Sequence, residues 1–216
     1  MDFDKEFSII SEGVTDQVVL ENILFGWTGN KNLSVTRLQP KQDEPGNWDK
    51  VFKYCQSEDF KGAFAFTDFL IIQIDTDFMG GGTVPEEYFI NVKDLSVEDK
   101  IIAFRSKFIE LIGKGFYNEY KTQIIFAISV EEIECWFLPI YFPTKKTKAA
   151  KIVNCIGTLN PELQKKEGFT ISSKDYAYYE KIAKHFRKKK DIQKYAPLNE
   201  SFSIFIRELN EKITVA

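Results

Sequence analysis

The sequence predicts an α/β protein, with a parallel sheet flanked by helices and a helical, basic C-terminal extension. Three observations carry that prediction. Apolar runs at Phe7–Ile10, Phe69–Ile74 and Ile124–Ile128 have the length and continuity of strands buried on both faces. Helical patterns separate them, and strands alternating with helices pair in parallel. Beyond Pro139 the strand signal stops and only helical patterns follow.

The elements follow in order. Phe7–Ile10 reads as a short buried strand ending in the turn Glu12-Gly13. Thr15 is placed to cap a helix running to about Phe25, with Val19, Leu20, Ile23 and Leu24 on one face. A second strand spans about Leu33–Leu38 and stops at Pro40. Lys41–Asn47 is polar, contains Pro45-Gly46, and reads as loop. Asn47 caps a helix carrying Trp48, Val51, Phe52 and Tyr54. Phe69–Ile74 is the strongest strand signal. A flexible loop or small insertion follows through Met79-Gly80-Gly81-Gly82-Thr83-Val84-Pro85 to about Leu95. Ser96 then caps a helix to about Tyr117, with Ile101, Phe104, Phe108, Leu111 and Ile112 facing inward. Ile124–Ile128 is the next strand, and Val130–Phe137 opens as a helix or turn. Helices are predicted over Lys148–Ile156, Lys174–Lys188 and Ser201–Lys212.

With 216 residues, the chain is long enough to bury a core as one domain, or as one domain with an appendage. No apolar run approaches the ~20 residues needed to span a bilayer. The start, Met1-Asp2-Phe3-Asp4, lacks the basic, apolar character of a signal sequence. A cytoplasmic, non-membrane protein is therefore expected. Its cysteines, Cys55, Cys135 and Cys155, are widely spaced without a C-x-x-C, and read as buried free thiols rather than a disulfide or metal set. The net charge of −3 conceals a division. Residues 1–140 carry 13 Lys/Arg against 24 Asp/Glu, and residues 141–216 carry 16 against 8. An acidic half suits metal binding and a basic half attracts polyanions, although lysines on helix faces can equally serve only as solvated surface.

The chemistry-bearing residues gather at strand ends. Glu12 follows the first strand, Asp75 and Asp77 close the third, and Glu131, Glu132 and Glu134 follow the fourth. In open α/β folds the carboxyl edge of the sheet is where sites form. Oxygen donors without a His or Cys set suit Mg²⁺ or Mn²⁺ rather than zinc. Asp16 lies about one helical turn beyond Glu12 and either joins it or only interacts with the helix dipole. In extended chain Asp75 and Asp77 project to one face, where two carboxylates repel unless a cation lies between them. If their segment is helical, Glu131 and Glu134 share a face and Glu132 points to solvent. Glu134 is the preferred ligand of the three.

Glu12-Gly13-Val14-Thr15-Asp16 after a first strand, followed later by Asp75-Thr76-Asp77, resembles the Toprim domain of topoisomerases, bacterial primases and overcoming-lysogenization-defect nucleases. Val130-Glu131-Glu132-Ile133-Glu134-Cys135-Trp136-Phe137 resembles the Glu-x-Trp-Leu stretch of small stand-alone Toprim-like proteins, including RloB-type proteins linked to phage defence. The resemblance covers roughly Phe7–Leu138. It implies a Toprim-like catalytic domain over residues 1–140, with a loop insertion at about 78–95, and a basic helical extension over 141–216 packed on it. It further implies one or two Mg²⁺ or Mn²⁺ ions, with Glu12 as ligand or acid/base and Asp75 and Asp77 as ligands. Asp16, Glu131 and Glu134 complete the candidate metal set. Enzymes of this type often act with an ABC-type ATPase. The Gly80-Gly81-Gly82 insertion departs from the compact family pattern, and neither a topoisomerase tyrosine nor primase modules are present.

The expected activity is therefore phosphodiester hydrolysis of DNA or RNA in an antiphage role. Lys174, Lys181 or the run Arg187-Lys188-Lys189-Lys190 would neutralise phosphate charge; Lys181 is taken as the catalytic cation and Lys174 with the run as nucleic-acid contacts. Ser172-Ser173 near a helix start can contact phosphate or simply cap, with Ser173 as the cap. His185 reads as a surface residue rather than a base. Tyr176, Tyr178 and Tyr179 can stack bases or pack in the core. A non-catalytic adaptor binding nucleic acid or a partner is the alternative, and a homodimer fits the size. An aspartyl-phosphate phosphatase is disfavoured because its Asp-x-Asp belongs near the first strand.

Overall fold

In the computed structural model the described residues are 5–41, 43–80, 84–171 and 174–213. In chain order the elements are β1 (Phe7–Ile10), α1 (Val14–Thr28), β2 (Val35–Gln39), α2 (Trp48–Cys55), α3 (Glu58–Gly62) and β3 (Phe69–Asp75). They continue with α4 (Val97–Ile112), α5 (Lys114–Tyr120), β4 (Ile124–Ser129), α6 (Leu138–Tyr141), α7 (Lys146–Ala149) and α8 (Cys155–Glu167). The last three are α9 (Tyr176–Ala183), α10 (Lys189–Tyr195) and α11 (Glu200–Ile213). Short 3₁₀ turns fall at Ala63–Ala65, Asp77–Gly80, Glu86–Tyr88, Ile133–Phe137, Lys184–Phe186 and Ala196–Leu198.

All strand pairs are parallel, in the order β2-β1-β3-β4. The two central strands have no solvent-facing side, so every residue of β1 and β3 is buried, which is why both read as continuous apolar runs. Alternation divides their side chains between two layers. Phe7, Ile9, Phe69, Ile71, Ile125 and Ala127 face α1 and the C-terminal helices. Leu70, Ile72, Ile74, Ile124, Phe126 and Ile128 face α2 and α4. The sheet flanked by helices, with a basic helical extension, is the fold class the sequence predicts.

The outer edge of β4 is closed by α11. The Glu208 carboxylate accepts from the Phe126 N–H at 3.3 Å, and the Lys212 ammonium donates to the Ile124 carbonyl. These bonds satisfy edge groups that would otherwise be open to another strand. Arg105 of α4 pairs with the second Glu208 oxygen.

Several local expectations are corrected. Gly13, not Thr15, is the N-cap of α1: it is extended, its carbonyl accepts from Asp16 and Gln17, and Thr15 lies buried in the first turn. The helix expected to reach Tyr117 breaks at Gly113, whose φ of 90° is open to glycine but strained for other residues. The segment after Asp77 packs back rather than forming a loose insertion, because Phe78 stacks on Trp48 at 4.5 Å and Tyr88 lies against Phe52. Gly81, Gly82 and Thr83 lie outside the described residues. The helix expected over Lys148–Ile156 is instead two helices, α7 and α8, separated at Asn154, whose φ is 52°. Asp175 caps α9 by accepting from the Ala177 N–H; Ser172 and Ser173 lie outside the described residues. Among the described residues no helix is long and apolar enough to cross a membrane.

Gly26 of α1 faces the carbonyl of Phe186, and a Cβ there would stand 1.8 Å from that oxygen. Gly62 has helical dihedrals and open space around it. Gly26→Ala is therefore expected to destabilise by about 1–3 kcal/mol through overpacking, whereas Gly62→Ala stabilises by about 0.4–1 kcal/mol. Urea unfolding of the two variants checks the contrast, and equal effects would contradict the packing described.

Candidate functional site

The carboxyl ends of β1, β3 and β4 lie side by side, and the layer holding α1 covers one face there. Gln73 and Asp75 alternate with Ile71 onto that face, so both point beneath α1. Asp16, in the first turn of α1, is fully buried, as is Glu134 in the 3₁₀ turn after β4; Asp75 is 2% exposed. Glu12 is half-buried at the cluster's mouth. Gly13 leaves room for Asp16, since a Cβ there would stand 3.0 Å from Asp16 Oδ2.

A hydrogen-bond chain orders these groups. Gln73 Oε1 accepts from the Glu12 N–H at 3.1 Å, and Gln73 Nε2 donates to Asp75 Oδ1 at 2.9 Å. Glu12 Oε1 accepts from the Asp75 N–H at 2.8 Å. The Tyr179 hydroxyl donates to Glu134 Oε1. Lys174 stands over the cluster with its ammonium 3.7 Å from Asp75 Oδ2 and its side chain half exposed. Both oxygens of Asp16 and Oε2 of Glu134 have no hydrogen-bond partner among the described residues.

Burial and mutual repulsion reshape the titrations. Glu12 is pushed up to about 8 by burial and then by Asp16, against the Asp75 N–H and Lys174, with Asp77 adding to the rise. Asp16 is pushed up to about 6 by burial and by Glu134, against the pull of Lys174. Burial, Asp16 and Glu12 hold Asp75 well above the usual carboxylate range. Desolvation opposes the charge of Lys174, but Asp16, Asp75, Glu134 and Glu12 together raise its pKa above normal.

The other sequence candidates fall in different places. β3 ends at Asp75, and Asp77 starts a 3₁₀ turn, so the two do not share an extended face; Asp77 is exposed at the rim near Glu12. Glu131 has a φ of 66°, which breaks the expected helix, and its carboxylate pairs with Lys100 of α4 at 3.6 Å, outside the cluster. Glu132 is not a solvent residue: it is half-buried and accepts from the Ile156 N–H at 3.0 Å, capping α8. Lys181 pairs with Glu167 and lies over Phe169, away from the cluster; among the described residues Lys174 is the cation that pairs with a cluster carboxylate. Arg187 bonds Asn22 on α1. Lys188, Lys189 and Lys190 are exposed, and the Lys188 backbone lies against Gly26, roughly 15 Å along α1 from Asp16. His185 lies at the surface against Glu167. Tyr179 is core, while Tyr178 stacks on Phe169 and Tyr176 lies against Arg37.

Sequence reasoning missed Gln73 and the Tyr179–Glu134 pair. A lone amide inside the apolar run of β3 was the available signal for Gln73. The thiol reading is also corrected: Cys135 and Cys155 are joined by a disulfide, and Cys55 is the free, buried cysteine.

Among the described residues one grouping has ligand atoms spaced to hold a metal ion. Glu132, Cys135 and Cys155 bring ligand atoms within 4.8 Å of one another, so with the sulfurs reduced they can coordinate a divalent ion. Among the described residues no three carboxylates of the oxygen cluster reach that spacing, as like charges around an ammonium should not. The all-oxygen donor set and the unpartnered oxygens of Asp16 and Glu134 nevertheless fit a hard cation.

A small α/β domain with a parallel sheet and acidic groups at its carboxyl edge is the class that fold and site define, and this architecture is Toprim-like in its general form. In comparisons with known proteins, no family model matches the chain, and no curated protein or solved structure matches it.

A carboxyl whose folded pKa exceeds its unfolded value makes folding less favourable once it ionises. Stability of the EDTA-treated protein is thus expected to fall as pH rises from about 4 through the values for Asp16, about 6, and Glu12, about 8. Excess Mg²⁺ or Mn²⁺, which binds the ionised form, should raise the melting temperature more at pH 8 than at pH 5. Calorimetry across this window checks both signs, and a metal effect independent of pH would contradict the site.

Proposed function

We propose that the chain is a divalent-metal-dependent nuclease that hydrolyses phosphodiester bonds of DNA or RNA. The observation that carries this reading is the convergence of three buried carboxylates, Asp16, Asp75 and Glu134, on the half-buried Glu12 at the sheet's carboxyl edge, with oxygens of Asp16 and Glu134 that have no partner among the described residues. Asp16, Asp75, Glu134 and Glu12 would hold one or two Mg²⁺ or Mn²⁺ ions, with Asp77 at the rim. When bound, such ions lower the pKa of an attacking water and stabilise the leaving oxygen.

The chain's own residues would do the rest. Glu12, at the mouth of the cluster with one oxygen fixed by the Asp75 N–H, would hold a metal ion or take up the proton of the attacking water. Lys174 would shift from Asp75 to phosphate as cations enter the cluster. A cleft of about 360 Å³ leads to this point, lined by Glu12, Gly13, Thr15, Gly46, Asn47 and Lys174. The start of α1, Gly13 to Thr15, lines it, and a helix N-terminus favours an anion.

The division into a metal-holding part, residues 1–140, and a basic part, residues 141–216, that draws in nucleic acid is part of this proposal. So are an RloB-type or overcoming-lysogenization-defect-type antiphage role and an ABC-type ATPase partner, which rest on the sequence resemblance, and a homodimer, which rests on the size of the chain. A second reading, a non-catalytic adaptor for nucleic acid or a partner protein, is favoured by one observation: Lys174 already neutralises a cluster whose carboxylates are not drawn together.

Plasmid DNA, single-stranded DNA and total tRNA incubated with the protein and Mg²⁺ or Mn²⁺ distinguish the readings. Cleavage is expected to vanish with EDTA and in Asp75→Ala/Asp77→Ala. Glu12→Gln should slow it about 10²–10⁴-fold. Binding without cutting, unaffected by EDTA, would establish the adaptor.

A further inference from the structure

Beside the carboxylate cluster, with Glu132 within electrostatic reach of Glu134 and Asp77, lie Glu132, Cys135 and Cys155. We propose that these residues form a redox-linked zinc site. With the thiols reduced they bind one Zn²⁺ through two thiolates and a carboxylate, and oxidation to the disulfide expels the ion.

The donor set selects the metal. Two sulfurs and one oxygen suit Zn²⁺, not the hard cations that fit an all-oxygen cluster. The fold supplies the positions. Cys135 belongs to the 3₁₀ turn after β4, and Cys155 is the first residue of α8, where the helix N-terminus favours thiolate over thiol. Glu132 completes the trio, with all ligand atoms within 4.8 Å. Sulfurs around a tetrahedral zinc stand roughly 3.8 Å apart, so small side-chain rotations convert the disulfide arrangement into the ligating one.

The carboxylate is also prepared for a metal. Glu132 Oε1 accepts from the Ile156 N–H at 3.0 Å, and the Cys155 N–H also acts on the carboxylate, so the group is fixed at the start of α8 beside Cys155. Both cysteines are fully buried while Glu132 is half-buried, so Glu132 is the ligand nearest solvent. Cys55 packs in the layer on the other face of the sheet and cannot contribute.

The exchange balances with a low-molecular-weight disulfide as oxidant. The S–S bond of the reagent breaks and one forms between Cys135 and Cys155. Two electrons pass from the protein sulfurs to the reagent, which leaves as two thiolates, and zinc departs as Zn²⁺ with its oxidation state unchanged.

The test compares the full-length protein in two redox states, with millimolar Mg²⁺ present to occupy the oxygen cluster. After phosphine reduction, Co²⁺ used as probe should give thiolate-to-cobalt charge-transfer absorption saturating at one equivalent. Zn²⁺ should displace it. Oxidised glutathione should then release one equivalent of zinc to a chromophoric chelator as both thiols disappear. Cys135→Ser/Cys155→Ser should abolish the absorption, and Glu132→Gln should weaken Zn²⁺ binding at least about tenfold. Equal zinc uptake by the reduced and oxidised wild type, or cobalt binding without the charge-transfer band, would overturn the site. That comparison needs no substitution, so it stands even where a variant folds poorly. It is also independent of whether nucleic acid is cut.

Discussion

Carboxylates buried beside one another repel, and desolvation penalises each charge before the repulsion is counted. At the carboxyl edge of this sheet Asp16, Asp75 and Glu134 are all buried and Glu12 is half-buried, so the end of the molecule is stable only with positive charge or protons among them. Lys174 supplies the charge and the raised carboxyl pKa values supply the protons. Gln73 does a related job from inside the sheet, donating to Asp75 while accepting from the backbone of Glu12. The parallel order β2-β1-β3-β4 makes this crowding unavoidable, because it brings the ends of β1, β3 and β4 to one edge.

The C-terminal helices take part in that arrangement. Tyr179 of α9 donates to Glu134, and Trp136, two residues further on, bonds Ser201 and stacks on Phe202 and Phe205 of α11. The turn carrying Glu134 is therefore fixed by residues far along the chain. Glu208 and Lys212 of α11 complete the β4 edge from the same side. Much of the segment's basic charge lies on exposed faces, while Lys174 turns inward to the carboxylates.

The strands were legible because burial on both faces leaves an uninterrupted apolar signature, which periodicity reads directly. Glu12, Asp75 and Glu134 were legible for a related reason: a charge ending a buried strand in an α/β chain lies at the edge where sites form. What failed was local conformation. Helical spacing assigned Glu131 and Glu134 to one face, but a left-handed residue at 131 turns its side chain to Lys100. Extended spacing assigned Asp75 and Asp77 to one face, but the strand ends between them. The Cys135–Cys155 pairing joins residues 20 apart, brought together by the break at Asn154, which no apolar period announces. Lysine-rich segments were hardest, since their solvated positions carry little periodic information.

The position of Lys174 links electrostatic balance to the proposed chemistry. A cation bound permanently among carboxylates would block a metal, yet this side chain is half exposed and its ammonium stands 3.7 Å from Asp75, an ion-pair distance rather than a close hydrogen bond. Such a contact can be exchanged without burying a new charge, because the displaced ammonium moves toward solvent. Divalent ions entering the cluster would take over the neutralisation of Asp16, Asp75 and Glu134, and the same move would bring Lys174 into the cleft beside the start of α1. The site's positive charge would then be aimed outward only once the metal is in place. On the nuclease reading, this orders metal before phosphate: a polyanion approaching the metal-free site meets Glu12 at its mouth, and the cation that would attract it is still held by Asp75.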